Sequence, residues 1–292
     1  PVPYPSEAMQ HKNAEGPHFD TVLSLRIDRQ GRLWTLDNAE HGLGQPRILA
    51  FDLATNALVH QFDFPATCAG LGSHLNDFQV APDGKTVYIA EASIFAKTPA
   101  IVRYDIDTKR CVRLLEGMPS VLPDPYVPTV QGRTMIVFGI FAIRPGVDSI
   151  VLDTNGEWLY HAAVTSTRMW RVKAADLLDD SLRPAELAQR VDAFADKTMS
   201  DGLSIDLENN VYLTDPEHSA IVRLRQDRTL ETLVKDPKLR WPDGLSFGPD
   251  GWLYVTCSAL QHVIGRLPSQ VRSQAPFKIF RFKPGPMGVP GQ

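Results

Sequence analysis

A chain of 292 residues with 43% hydrophobic and 22% charged side chains can form one large domain or two small ones. Its net charge of −4 and isoelectric point near 6.1 give no reason to expect nucleic acid or an anionic membrane as a partner. No apolar run approaches the roughly 20 residues that a membrane span needs. Cys68, Cys111 and Cys257 form neither a disulfide framework nor a zinc pattern, and leave one disulfide open.

The start, PVPYPSEAMQ, lacks an initiator Met and a hydrophobic signal core. It fits a removed leader or a start inside a longer protein, and a periplasmic or secreted location is favoured over a cytoplasmic one. Residues 1–18 hold four prolines and no hydrophobic period, so they read as an irregular arm. From there a motif recurs: LSLRIDRQGRLWTLD from Leu23, NDFQVAPDGKTVYIAE from Asn76, DSIVLDTNGEWLYHAA from Asp148, DGLSIDLENNVYLTD from Asp201 and DGLSFGPDGWLYVTC from Asp243. Each copy alternates, turns on Asp, Asn, Gly or Pro, and alternates again around an aromatic, which is a β-hairpin.

A second hairpin follows the first copy at residues 47–65, the second at 100–117 and the fourth at 220–236. The third copy is followed by a strand running into helical segments at 174–179 and 184–194. The fifth is followed by a polar loop, 259–276, and a lone strand at 277–284. Four-stranded units in series predict an all-β protein, a β-propeller over residues 19–285 with a tail at 286–292. Residues 118–147, rich in proline, read as an insertion between the second and third blades over one mouth of the channel. Five hairpins are visible, and the odd start points to six blades in the intact protein.

Aligning the copies gives two columns. The first strand opens on Leu23, Asn76, Asp148, Asp201 and Asp243, and Asn or Asp is disfavoured in strands. If that strand lines the channel, these side chains converge, and clustered carboxylates call for a cation. Oxygen ligands from Asn76, Asp148 and Asp201 suit a hard divalent ion such as Ca²⁺. Asp201 would then act in catalysis, with Asp243 left to contact substrate.

The second strand closes on Asp37, Glu91, Ala163, Asp215 and Cys257, so Asp37, Glu91 and Asp215 would ring the same mouth. They could orient a small-molecule ligand, and Glu91 could take a proton. His74, just before Asn76, is the best-placed side chain for proton transfer. His218 could reach the same mouth. Asp83 and Asp250, in PDG turns, and the strand tryptophans read as structural. His161 is expected in a blade interface. No phosphate-binding glycine loop, G-x-S-x-G elbow or H-E-x-x-H motif is present.

At these residues the chain resembles the major royal jelly protein and Yellow family. FDTVLSLRIDRQGRLWTLDNAE followed by PRILAFDLATNALV is similar to its pattern of an apolar strand, D-x-x-G-R-L-W-V-L-D and L-x-x-F-D-L. The likeness runs in order over most of residues 19–285. It is nearest the bacterial branch, since the cysteines of insect members are lacking. The resemblance implies six blades, the first upstream of Pro1. Insect members are linked to dopachrome conversion or bind biogenic amines.

More distantly the chain resembles the gluconolactonase and senescence-marker-protein superfamily, in which a Glu, two Asn and an Asp hold one divalent cation. Asn76, Asp148 and Asp201 match three of those positions. Asp148 stands where the family has Asn, the Glu would lie upstream, and Asp243 is an additional acid. The expected function is a cation-dependent, lactonase-like hydrolase. The alternative is a tautomerase of a quinone-like aromatic, or a binder of a small aromatic amine.

Overall fold

Alternation about a tight turn produces hairpins, and the hairpins pair into blades. The computed structural model describes residues 2–12 and 16–292; Pro1, Asn13, Ala14 and Glu15 of the expected arm lie outside the described residues. The first blade is β1 (Val22–Ile27), β2 (Arg32–Asp37), β3 (Arg47–Asp52) and β4 (Leu58–Asp63). The second is β5 (Leu75–Val80), β6 (Thr86–Glu91), β7 (Ala100–Asp105) and β8 (Arg110–Leu114). The insertion carries two small hairpins, β9 (Thr129–Val130) with β10 (Arg133–Thr134) and β11 (Ile136–Val137) with β12 (Phe141–Ala142).

The third blade is β13 (Val147–Leu152), β14 (Trp158–Ala163), β15 (Arg168–Lys173) and β16 (Asp192–Asp196). The fourth is β17 (Leu203–Ile205), β18 (Val211–Asp215), β19 (Ala220–Leu224) and β20 (Leu230–Lys235). The fifth has three strands, β21 (Pro242–Phe247), β22 (Leu253–Cys257) and β23 (Lys278–Phe282). Every blade is antiparallel in sequence order. The chain is therefore an all-β propeller of which five blades are seen, and no helix among the described residues is long and apolar enough to cross a membrane.

Two expectations are corrected. The second helix ends at Gln189, not Phe194, because DAFAD forms the outer strand β16 of the third blade. Residues 259–276 are not plain loop: they contain a 3₁₀ turn, Leu260–His262, and a short helix, Pro268–Arg272.

The turn carboxylates fix each hairpin. Asp28 Oδ1 accepts from the amides of Gln30 and Arg32, and its Oδ2 accepts from Trp34 Nε1 at 2.6 Å. Asp206 does the same with Glu208, Asn210 and the Tyr212 hydroxyl. These local bonds set the turn and hold the aromatic of the second strand. Trp34, Tyr88, Tyr160 and Tyr212 occupy one repeat position, and each is buried in the core against the following blade. Tyr254, at the same position in the fifth blade, is only half-buried, since no core joins the fifth blade to the first.

Instead the C-terminal tail spans that gap. Phe247 N donates to Gln292 O, Ile27 N donates to Gly291 O at 3.2 Å, and Gln292 Nε2 donates to Ile27 O at 2.6 Å. Leu23 and Leu25 of β1 face the gap and stay exposed.

Cys68 and Cys111 form a disulfide that ties the loop entering the second blade to its outermost strand, 43 residues apart in sequence; Cys257 is free and buried. Closing a loop of this length stabilises by about 4 kcal/mol in the chain-entropy limit, and by less if the native geometry is strained. The double substitution Cys68→Ser with Cys111→Ser is therefore expected to lower the unfolding free energy by about 2–4 kcal/mol. Denaturant midpoints check this; an unmoved midpoint at constant m-value would show that the link constrains nothing.

Candidate functional site: an acidic ring in the central channel

Four of the five inner-strand openings carry a register slip: between Val22 and Ser24, Leu75 and Phe78, Val147 and Ser149, and Pro242 and Leu245. These are the positions of Leu23, Asn76 with Asp77, Asp148, and Asp243 with Gly244. A bulge leaves its residue out of the ladder and re-aims the side chain. In the fourth blade Asp201 precedes β17, and Thr214 Oγ1 accepts from the amides of Asp201 and Gly202.

Successive inner strands are stitched by side chains. Ser24 Oγ donates to Asp77 Oδ1 at 2.8 Å, Asn76 Nδ2 to Asp148 O at 3.1 Å, Gln79 Nε2 to Ile150 O, and Ser149 Oγ to Asp201 O. Between the fourth and fifth blades the backbones approach so closely that a Cβ on Gly202 would lie 1.8 Å from Asp243 O.

The result is a cavity of about 370 Å³ on the axis, open towards the gap between the first and fifth blades. Asn76, Asp77, Asp201 and Asp243 line it together with Ser24, Arg26 and Tyr254. Asp148 lies behind the wall, almost fully buried. Its Oδ2 has no hydrogen-bond partner, while its carboxyl group faces that of Asp201. Two buried carboxylates in contact need a shared proton or a cation.

Burial, and then the charge of Asp201, hold the Asp148 carboxyl well above the usual range. Burial also raises Asp201, against the opposing pull of Trp241 Nε1, which donates to its Oδ2. Asp243 is pushed up to about 8 by burial and by Asp201, and the Ser258 hydroxyl works against this. Lys197 is the buried cation facing the ring. Its Nζ donates to Ser200 Oγ at 3.0 Å, and burial lowers its pKa to about 7 despite Asp124, Asp215, Asp148 and Asp201.

His74 sits at the rim of the ring. Asn38 Nδ2 lies 3.3 Å and His41 Nδ1 2.9 Å from His74 Nδ1, and the two imidazoles stack with centroids 4.7 Å apart. With Asn38 donating, the His74 proton is assigned to Nε2. Burial, then the charge of His41, lowers His74 to about 3, and Asn76 opposes the shift. His41 itself belongs to a left-handed turn, Ala39–Gly42, in which all four residues have positive φ. Strain of this kind concentrates at functional sites.

The outer acids do not join the cavity. Asp37 accepts from the amides of Asp20, Thr21 and Ala39. Glu91 is fully buried, accepts from the amides of His74 and Ser93, and pairs with Arg113 at 2.9 Å. Asp215 accepts from His218 N and His218 Nδ1. Each clamps the loop beyond its strand to the blade. The His218 ring is exposed on a separate surface hollow with Gln131 and Lys235. His161 is completely buried, and neither ring nitrogen has a partner.

The insertion 118–147 closes the channel above the acids. Glu217 Oε1 accepts from Thr129 N, Gln131 Nε2 donates to Pro237 O, and Arg133 donates to Ile264 O. Val130 and Met135 pack there on Met199 and Trp241. Among the described residues no group of three or more His, Cys, Asp and Glu side chains is gathered to hold a metal.

Asp77, Arg26, Lys197, Trp241 and His41 were not singled out from the sequence. The register slip that brings Asp77 to the cavity does not disturb the alternation, and the others are brought in by non-local contacts.

The raised pKa of Asp243 fixes a sign. A carboxyl group that holds its proton better when folded contributes stability that is fully present below about pH 4 and lost as pH rises through about 8. In chelator, the melting temperature is expected to fall between pH 5 and 8, and Asp243→Asn is expected to flatten that fall. Scanning calorimetry across this range checks it; equal slopes for both proteins would show that Asp243 is not held protonated.

Solved structures share this fold at low identity. A luciferin-regenerating enzyme matches with a TM-score of 0.54 and 13% identity over 94% of each chain. A gluconolactonase from Xanthomonas campestris matches at 0.53 and 13%, over 82% of this chain and 70% of that one. Virginiamycin B lyase from Staphylococcus aureus, solved with quinupristin, matches at 0.51 and 13%, over 90% and 70%. The chain spans only 61% of a streptogramin B lyase and 52% of a Bacteroides thetaiotaomicron protein of unknown function. No curated protein matches it in sequence. Residues 21–274 match the profile described as "Major royal jelly protein", and the chain belongs to that family.

Proposed function

We propose that the acidic ring binds a divalent cation of Ca²⁺ character and that the protein hydrolyses a small cyclic ester, a lactone, in the channel. One observation carries this reading: the buried, unpartnered Oδ2 of Asp148 beside the Asp201 carboxylate, with Asp77 and Asp243 close by. Asn76 Oδ1, Asp148 and Asp201 would hold the cation, all oxygen donors as a hard ion requires. When bound, it would supply Lewis-acid polarisation of the ester carbonyl.

The chain's own groups have separable tasks in this reading. Asn76 spends its amide hydrogens on Asp148 O, which directs its carbonyl oxygen away from the backbone. Asp243 borders the cavity with a proton affinity near neutrality, the property a general acid or base needs. His74 is neutral at physiological pH and extends the polar network from the ring to His41 at the mouth. The apolar contact of Met135, Met199 and Trp241 keeps bulk water from the upper side of the ring.

The gap between the first and fifth blades would be filled by a sixth blade. The exposed Leu23 and Leu25 and the half-buried Tyr254 support that reading. Fold alone assigns no activity, and the lactonase reading rests on the ring.

Titration calorimetry of EDTA-treated protein is expected to show one divalent ion bound per chain, with Ca²⁺ favoured over Zn²⁺. Asp148→Asn and Asp201→Asn should each weaken binding by about tenfold or more and abolish hydrolysis of a lactone panel. Absence of binding at millimolar Ca²⁺ would remove the cation. Turnover of a quinone-like aromatic, or binding of a catecholamine, that survives chelation would favour the tautomerase or amine-binding alternative.

A further inference from the structure

Strand order sorts the loops of a propeller into two ends. Loops joining second to third strands, and loops carrying the chain from one blade to the next, all lie at the mouth where the inner strands begin. Large apolar side chains protrude there: Leu43 and Leu71 are each 74% exposed, Phe95 65%, Phe138 80%, Ile140 74% and Phe141 62%. Leu267, at 66%, lies at the same end. Among the described residues, only Val2 and Ile279 are as exposed elsewhere. Phe138, Ile140 and Phe141 form the tip and flank of the β11–β12 hairpin, with Phe138 and Gly139 in the left-handed region. Patches of this kind on a folded protein mark an interaction surface.

The charges of this face differ from those of the whole chain. Its exposed acids are Glu40, Asp63, Glu116 and Asp196, and each is already paired, with Lys12, Arg47, Arg113 and Arg168 in turn. Its exposed bases outside any ion pair among the described residues are Lys97, Lys235, Lys238, Arg266, Arg272 and Lys278. A net negative chain thus presents one apolar face with unpaired positive charge.

We propose that this face docks on an anionic lipid surface, the β11–β12 hairpin entering the headgroup layer and the basic side chains meeting the phosphates. The protruding residues come from loops of the first and second blades and from the insertion, so a broad, flat partner meets them together. A second copy of the chain fits less well. A two-fold interface would set this face against itself and bring the same unpaired bases opposite one another.

Co-sedimentation with phosphatidylcholine vesicles, with and without phosphatidylglycerol, tests this. The chain is expected to sediment with the anionic vesicles and to be released by high salt. The triple substitution Phe138→Ser, Ile140→Ser, Phe141→Ser should weaken partitioning by about tenfold or more. Lys97→Glu with Arg266→Glu should do the same on anionic vesicles only. All five positions are exposed, and circular dichroism confirms that the variants fold. Failure to bind anionic vesicles, or equal binding by wild type and both variants, overturns the proposal. So does concentration-dependent self-association in light scattering that the hairpin variant abolishes.

Discussion

Like charges brought together out of water are the constraint on which this structure turns. Two unit charges about 4 Å apart repel by about 4 kcal/mol at an effective dielectric constant of 20. The Asp148 and Asp201 carboxyl groups face each other near the axis, Asp243 and Asp77 are close enough to act on Asp148 through their charge, and Asp148 is shut away from solvent. A ring of this kind persists only if something neutralises it. Arg26 pairs with Asp77 at 2.6 Å, the buried Lys197 acts on Asp201 from the loop before it, and the Trp241 indole and Ser258 hydroxyl lower the pKa of Asp201 and Asp243. The remainder is met by protons or by a cation. The bulges, the blade-to-blade bonds and the insertion over the mouth all act to keep the carboxyl groups from moving apart.

The stitching explains how a short chain of blades holds that geometry. Each of the first three inner strands gives a side-chain donor to the next blade: Ser24 to Asp77, Asn76 to Asp148 O, Ser149 to Asp201 O. The same bonds that join blades also orient the ring, so Asn76 and Asp77 are at once structural and part of the cavity. Apolar cores then fill the four wedges between blades. At the fifth wedge only the tail joins Phe247 to Ile27, and the cavity opens there.

Much of this was legible in the sequence because its signals are local. Period-two alternation, D-x-x-G turns and an aromatic at a fixed offset announce a repeated hairpin, and the opening column names Asn76, Asp148, Asp201 and Asp243 directly. The closing column was legible as a pattern but not as a place. Asp37, Glu91 and Asp215 end inside the blades because their oxygens bind the amides of the next loop, a bond that depends on loop conformation. The slip that adds Asp77 to the ring changes register without changing alternation. The outer strand β16 was hidden by the helix formers before it. His41 reaches His74 through four consecutive left-handed residues, of which only Gly42 carries a compositional hint. Lys197 and Trp241 arrive from inter-blade loops, which no periodicity describes.

Composition misleads in a similar way about the outer surface. A net charge of −4 averages over a chain whose acids are spent at the axis, in turns and in clamps at strand ends. Once those are placed, the mouth carries its bases unpaired and its loops apolar. Asp28, Asp37, Glu91, Asp148, Asp206 and Asp215 are inside because the ring, the Asx turns and the strand-end clamps each demand a carboxylate. At the mouth the exposed acids Glu40, Asp63, Glu116 and Asp196 are taken up in ion pairs, which leaves the other exposed bases there without partners among the described residues.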